Sequence, residues 1–178
     1  MINELDYDQP GFDLMEFVEL FNAGANEVSL ANLVLVMVNG SNNTEYARYT
    51  LSDAGSSLAA GQYLVAGSAA LISLAADGAL TMALAASSNN IQNGGPDGLL
   101  ILDTSDNTVV DALSYEGAIT AATVVGVPGT LNLVEGAAAS ATDPGDGVLA
   151  RSPNGSDTGN ADVDWSALET STPGATNE

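Results

Sequence analysis

The chain has 178 residues and a mass of 17.9 kDa, which is enough for one domain with a sizeable core and too little for two large ones. Apolar residues make up 46% of the sequence and charged residues 14%, so the composition predicts a folded protein rather than a disordered tail. The 23 Asp and Glu residues face only two basic residues, Arg48 and Arg151, and the formal net charge is −21. This excess of acid predicts that the protein does not bind nucleic acid, because phosphate recognition depends on Lys and Arg.

The residue types that are missing exclude several further functions. The chain contains no Cys, no His and no Lys, which excludes disulfides, catalysis by thiolate or imidazole, and a lysine Schiff base. No apolar run reaches the roughly 18 residues of a membrane-spanning helix, so membrane insertion is not expected. The many unpaired carboxylates repel one another, and salt or bound cations relieve that repulsion. We therefore expect an extracellular or cell-surface setting that is saline or contains calcium.

Short apolar runs separated by turn residues recur along the first half of the chain, a pattern typical of all-β sandwiches. Strands are predicted over residues 2–7, 16–21, 33–38, 46–51 and 62–66. The first two strands are expected to pair as a hairpin across the break at residues 8–11. Residues 33–38 are apolar at every position, which indicates a central strand covered on both faces.

The second half of the chain gives a less even pattern. The Ala-rich residues 67–90 predict irregular or helical insertions. Further strands are predicted at 99–102, 108–115 and 148–151 and near Val124. After Ser152 we expect a polar loop whose Trp165 plugs one end of the sandwich. The expected fold is an all-β, immunoglobulin-like β-sandwich of about seven to nine strands with short helical or irregular insertions.

Several short motifs follow one another along the chain. They lie at residues 2–4, 16–22 (EFVELFN), 28–33 (VSLANL), 58–65 (LAAGQYLV), 92–98 (QNGGPDG), 151–158 (RSPNGSDT) and 172–177 (TPGATN). In order and spacing this set resembles the lamin tail domain, an immunoglobulin-like sandwich found in nuclear lamins and in many secreted or surface-attached bacterial proteins. Two departures are the missing Trp in the turn at 28–33 and the extra Gly at 94–95.

The resemblance implies a single lamin-tail-like domain over residues 1–178. It also implies a non-catalytic module without an active site, of the kind usually appended to secreted nucleases, phosphatases or other surface proteins. The chromatin contacts of nuclear lamins are not expected here, because a net charge of −21 opposes phosphate binding.

Three acidic loops are candidate calcium sites, because calcium takes six to eight oxygen ligands from carboxylates, Asn side chains and backbone carbonyls. The first contains Asp6, Asp8, Asp13 and Glu16, the second Asp157, Asn160, Asp162 and Asp164, and the third Asp143 and Asp146. In the second loop, an extended backbone would point the carboxylates of residues 162 and 164 the same way. The alternative interpretation is that these side chains hold turns by accepting hydrogen bonds from nearby backbone amides.

The sequence therefore favours a non-catalytic structural or interaction module, and calcium is its candidate stabilising ion. The partner is left open between a protein and a surface glycan. A calcium-dependent carbohydrate-binding module is the alternative, and Tyr46, Tyr49 and Tyr63 would be its aromatic patch unless they pack in the sandwich. A third class is an acidic mimic that occupies a basic partner surface.

Arg48 and Arg151 are each expected to pair with carboxylates, Arg151 with the acidic tail. We expect a monomer or a weak dimer formed through edge strands.

Overall fold

The computed structural model describes residues 1–178 and consists mainly of strands arranged in two packed sheets and a small ribbon. The strands are β1 (Ile2–Asp6), β2 (Phe17–Phe21), β3 (Val28–Ser29), β4 (Leu33–Asn39), β5 (Thr44–Thr50), β6 (Ser57–Leu58), β7 (Tyr63–Gly67), β8 (Leu80–Ala83), β9 (Asp97–Asp103), β10 (Thr108–Tyr115), β11 (Val148–Arg151) and β12 (Trp165–Leu168). Two four-residue helices, α1 (Ala69–Ile72) and α2 (Ala161–Asp164), and a 3₁₀ helix at Leu51–Asp53 lie between them. No helix has the length and apolar character needed to cross a membrane. The immunoglobulin-like sandwich is confirmed, and its twelve strands exceed the expected number.

The two sheets differ in how the chain builds them. The four-stranded sheet has the order β10-β9-β4-β5, and all its neighbours pair antiparallel. The six-stranded sheet has the order β12-β11-β1-β2-β7-β8, in which only β7 and β8 pair parallel. Strands β3 and β6 form a separate two-stranded ribbon. Since β1 lies beside β11, the beginning of the chain and its last third share one sheet.

The hairpins and the central strand predicted from the sequence are confirmed. Strand β1 pairs antiparallel with β2, and β9 pairs antiparallel with β10. Strand β4 lies between β5 and β9, and its side chains alternate between two apolar clusters. Leu35 and Met37 pack in the core between the sheets, whereas Val34 and Val36 pack in a second cluster with residues that follow β10, such as Leu133. Both faces of β4 are therefore covered, as its continuous apolar sequence requires.

The prediction for residues 67–90 is confirmed by helix α1 (Ala69–Ile72) but wrong for residues 80–83, and the predicted strand near Val124 is wrong. Residues 80–83 form strand β8 rather than a helical or irregular insertion, because β8 pairs with β7 and buries Met82. This tertiary pairing outweighs the helical preference of alanine. No strand forms near Val124. The chain there makes only isolated bridges and places Val124 as apolar cover on the outer face of β4.

The chain after Ser152 is also more ordered than the predicted polar loop. It contains α2 and β12, and β12 adds an edge strand to the six-stranded sheet beside β11. Trp165 begins this strand and is 3% exposed in the main core cluster. Trp165 is thus a core residue on an edge strand rather than a plug carried by a loop.

Truncating the centre of β4 tests how much the fold depends on this strand. Leu35→Ala removes a fully buried side chain from the main core, so we expect the free energy of unfolding to fall by about 2–5 kcal/mol. Val125→Ala removes a side chain that is 69% exposed and should change stability by less than about 0.5 kcal/mol. Urea denaturation followed by circular dichroism measures both, and equal effects would contradict the assignment of β4 as the core strand.

Candidate functional site

The structure disperses the acidic side chains of the first loop. Asp13 accepts a hydrogen bond from the backbone N–H of Gln9 at 3.0 Å, Asp6 accepts one from the Gln9 side chain, and Asp8 accepts one from Asn93 at 3.1 Å. Each carboxylate therefore already has its own protein donor. The arrangement agrees with the turn-holding interpretation of this loop.

Glu16 is fully buried and fastens a distant loop. Its carboxylate accepts the backbone N–H groups of Asn90 at 2.8 Å and Ile91 at 2.9 Å, and the Asn90 side-chain amide at 3.1 Å. Burial raises the pKa of Glu16, and these three donors act in the opposite direction. Glu16 thereby ties the start of β2 to the segment between β8 and β9.

The second loop does not have the extended backbone that would align its carboxylates. Residues 161–164 form helix α2, in which Asn160 is the N-cap and accepts the backbone N–H of Asp162. Asp162 is exposed and accepts the N–H of Ser140 at 3.1 Å, whereas Asp164 is fully buried and faces Arg151. Asp157 is exposed and accepts the N–H of Gly159. The predicted alignment of residues 162 and 164 is wrong, because residues two positions apart on a helix point to nearly opposite sides.

The third loop divides in the same way. Asp143 is buried and accepts backbone N–H groups from Tyr7 at 3.0 Å and Gly145 at 2.8 Å. Asp146 is exposed and lines a polar pocket together with Asp6 and Glu169. No three acidic residues of the chain form a group arranged to hold a metal ion.

A buried charge cluster surrounds Arg151, which is 0% exposed. Its guanidinium donates to the backbone carbonyls of Ile2 at 2.7 Å and Ser156 at 2.8 Å, and it lies 5.1 Å from the ring centroid of Trp165. Four carboxylates face it at nitrogen–oxygen distances of 3.3 to 3.8 Å: Asp111, Asp164, Glu135 and Asp157. The expected pairing with the acidic tail is confirmed for Asp157 and Asp164. Asp111 and Glu135 are not close to Arg151 in sequence, and no sequence signal placed them there.

Two buried carboxylates hold the C-terminal segment, residues 169–178, on the six-stranded sheet. Glu4 on β1 accepts the backbone N–H of Thr172 at 2.8 Å and its hydroxyl at 3.0 Å. Glu19 on β2 accepts the N–H of Gly174 at 2.6 Å and the side-chain amide of Asn3 at 2.8 Å. Burial raises the pKa of Glu4 to about 7 and that of Glu19 to about 8. Sequence reasoning missed these residues, since a Glu in a strand gives no sign that a distant backbone will cover it.

An apolar concavity lies where the β3–β6 ribbon meets the two sheets, and we call it the apolar groove. It has a cavity volume of about 170 Å³, and eleven of its thirteen lining residues are hydrophobic. The lining residues are Met1, Leu20, Phe21, Asn22, Ala23, Gly24, Val28, Leu30, Leu33, Leu51, Leu58, Ile101 and Val110. No charged side chain lines it. Its residues come from seven separate parts of the chain, so no local sequence pattern predicts it.

Replacing each arginine separately tests the structural role of the Arg151 cluster. Arg151→Met leaves several buried or half-buried carboxylates without a cation, so we expect a loss of about 3–5 kcal/mol in the free energy of unfolding. Arg48→Met removes a partly exposed pair with Glu45 and should cost about 0–1 kcal/mol. Urea denaturation of both variants provides the comparison. An Arg151→Met protein as stable as Arg48→Met would show that the cluster does not support the fold.

The raised pKa values of Glu4 and Glu19 predict that stability falls as the pH rises. Between the ordinary pKa of 4.5 and the folded values of about 7 and 8, the folded protein holds protons that the unfolded chain has released. Their contribution is therefore fully present below pH 4.5 and is lost as the pH rises through 8.

Glu4→Gln checks this sign, because the Thr172 hydroxyl can rotate to accept a hydrogen bond from the new amide. We expect the unfolding midpoint of this variant to decline less between pH 5 and pH 7 than that of the unmodified chain. Glu27→Gln, at an exposed position, is the control for the loss of one negative charge. A Glu4→Gln profile parallel to that of the unmodified chain would contradict the assignment.

Comparison with known families assigns residues 1–117 to the family described as Lamin Tail Domain. The matched range contains β1 to β10, and thus the whole four-stranded sheet and four strands of the six-stranded sheet. The motifs at residues 151–158 and 172–177 lie outside it. No curated protein and no solved structure matches the chain. The family is a non-enzymatic, immunoglobulin-like interaction module. With 117 of its 178 residues matched, this chain belongs to the lamin tail domain family.

Proposed function

We propose that this domain is a non-catalytic interaction module of a secreted or cell-surface bacterial protein, and that it meets a protein partner through an anionic surface. The observation that carries the proposal is the placement of the two arginines. Arg151 is buried, and Arg48 is held by both Glu45 carboxylate oxygens at 2.8 Å and by the carbonyl of Val125. Since the chain has no Lys and no His, these contacts leave no uncommitted basic side chain on the surface.

The exposed acids set the character of that surface. Nine of the 23 acidic residues are buried, and the other fourteen are at least partly accessible to solvent. Complementary charge steers association and suppresses wrong partners, so a basic protein surface fits this domain best. The same charges repel one another, and the cations of an external saline medium screen that repulsion. This supports an extracellular or cell-surface location.

A protein partner is favoured over a surface glycan because the tyrosines do not form one aromatic platform. The Tyr46 hydroxyl accepts the N–H of Gln92, and the Tyr49 hydroxyl accepts the N–H of Ala85. Both rings pack partly buried against the main core. Tyr63 lies on the other sheet and stacks on Phe21 with ring centroids 4.5 Å apart. The carbohydrate-binding alternative has no comparable support.

As a second proposal, calcium stabilises the protein by binding in the polar pocket beside Asp146. Asp6, Asp146 and Glu169 line this pocket, which contains no hydrophobic residue. Burial raises the pKa of Asp6 to about 8, and the nearby Asp143 acts in the same direction. A divalent cation in the pocket would offset the repulsion between Asp6 and its acidic neighbours. Binding requires the carboxylates of Asp6, Asp146 and Glu169 to move closer together.

Thermal unfolding in different salts tests both proposals. Sodium chloride should raise the unfolding midpoint, and screening by itself predicts that magnesium or calcium chloride at equal ionic strength raises it equally, because screening responds to any salt. An unfolding midpoint that does not respond to salt would contradict the anionic-surface proposal.

A specific calcium site gives a different result. Low millimolar calcium would then raise the midpoint beyond matched sodium chloride, and EDTA would reverse the increase. Asp146→Asn should remove that increment, whereas Asp106→Asn should keep it, since Asp106 is exposed in the turn between β9 and β10. A midpoint that sodium chloride fully reproduces would rule out the calcium proposal.

A further inference from the structure

The two polar groups at the apolar groove, the Asn22 side chain and the Met1 amino group, both make hydrogen bonds within the protein. The side-chain amide of Asn22 donates to the carbonyls of Asn26, Leu58 and Ala59 at 2.9 to 3.0 Å, and its oxygen accepts the N–H of Gly24. The Met1 amino group donates to the carbonyl of Phe21 at 3.0 Å, and burial lowers its pKa. An occupant of the groove therefore meets mainly apolar surface.

The size of the groove fits one large apolar side chain. An engineered cavity of about 150 Å³ lined by aliphatic residues stays dry and binds benzene. The groove has a volume of about 170 Å³, and its floor consists of buried aliphatic residues such as Leu20, Leu30 and Leu58. A Phe or Leu side chain is the natural occupant of a space of this size and chemistry.

The rim of the groove exposes apolar surface on both sides. Val28 on β3 is 42% exposed and Val110 on β10 is 52% exposed, and both line the groove. Val110 lies where the pairing of β10 with β9 shifts by one residue, between Val109 and Asp111. This bulge directs Val110 away from the core on the edge strand of the sheet. Exposed apolar residues around a concave site are typical of an interaction surface.

Three acidic residues are direct neighbours of lining residues of the groove. Glu27 precedes Val28, Asp53 belongs to the 3₁₀ helix that begins with Leu51, and Asp103 pairs with Leu33 at the start of β4. Arg48 and Arg151 are both committed elsewhere. An anionic amphiphile such as a fatty acid is therefore repelled, whereas a segment with basic side chains is attracted.

We propose that the apolar groove binds a basic peptide segment of a partner protein by taking up one large apolar side chain, with flanking Lys or Arg residues facing Glu27, Asp53 and Asp103. The inference rests on the proposed function as an interaction module and specifies the chemistry of its partner.

Three blocked pentapeptides test the proposal with the full chain at low ionic strength. The first places Phe between two pairs of lysines, the second replaces Phe by Ala, and the third keeps Phe but replaces the lysines by Glu. Binding is followed by the methyl NMR signals of Leu30 and Leu58, which line the groove and are present in every variant. We expect the Lys–Phe peptide to bind at least about tenfold more tightly than the Lys–Ala peptide, and the Glu–Phe peptide not to bind measurably.

Substitutions at the rim locate the binding. In the double variant Val28→Gln and Val110→Gln, the preference for Phe over Ala should disappear, while Val125→Gln should retain it. Val125 is a suitable control because it is 69% exposed and does not line the groove. These positions are exposed, so the variants are expected to fold, and circular dichroism verifies it.

The outcomes separate this inference from the proposed function. Equal affinity for the Phe and Ala peptides, or a Phe preference that survives in the double variant, would overturn the groove proposal and leave the anionic surface intact. Failure of both lysine peptides to bind would overturn the anionic-surface proposal as well. Binding of the Glu–Phe peptide as tightly as the Lys–Phe peptide would refute the charge selectivity of the groove.

Discussion

The contacts of Arg151 hold together parts of the molecule that are far apart in sequence. Arg151 is the only basic side chain inside a protein that buries nine acidic residues. From β11 in the six-stranded sheet it reaches Asp111 on β10 of the four-stranded sheet, the carbonyl of Ile2 on β1, and Asp164 on α2. A buried cation of this kind is stable only when carboxylates and carbonyls surround it, and each of those carboxylates in turn depends on the cation. The two sheets and the start of β12 are thereby joined by one mutually dependent cluster.

The remaining buried carboxylates are satisfied mainly by backbone N–H groups. Glu16 fastens the loop before β9, Asp143 fastens the end of β1, and Glu4 and Glu19 fasten the C-terminal segment. In a chain with almost no cations, such hydrogen bonds are the available means of burying a carboxyl group without leaving it unpaired. The acidic composition therefore has two separate consequences, since buried carboxyl groups organise loops and exposed ones create the anionic surface from which the proposed function follows.

Strands and turns were predicted correctly where a local sequence pattern determines the structure. The apolar run of β4 and the turn chemistry between β9 and β10 predicted the central strand and its hairpin, because periodicity and turn residues act over a few positions. Strand β8 and Trp165 on β12 were misassigned, since pairing with β7 and β11 overrides local preference. Of the candidate acidic residues, Asp6 ends β1 and Asp162 and Asp164 belong to α2, whereas Asp8, Asp13 and Asp157 lie outside strands and helices. Their hydrogen-bond partners could not be predicted from local patterns. Asn90 lies 74 residues from Glu16, and Thr172 lies 168 residues from Glu4.

Buried carboxyl groups that have no cation beside them fasten this fold. A pH titration of the side-chain carboxyl carbons by NMR tests this conclusion, because it reports each acidic residue in the folded protein. We expect Glu4, Asp6 and Glu19 to titrate near pH 7 to 8, well apart from the exposed acids. If these three carboxyl groups titrated near pH 4 with the exposed ones, they would be open to solvent, and the proposed fastening of the C-terminal segment would be contradicted.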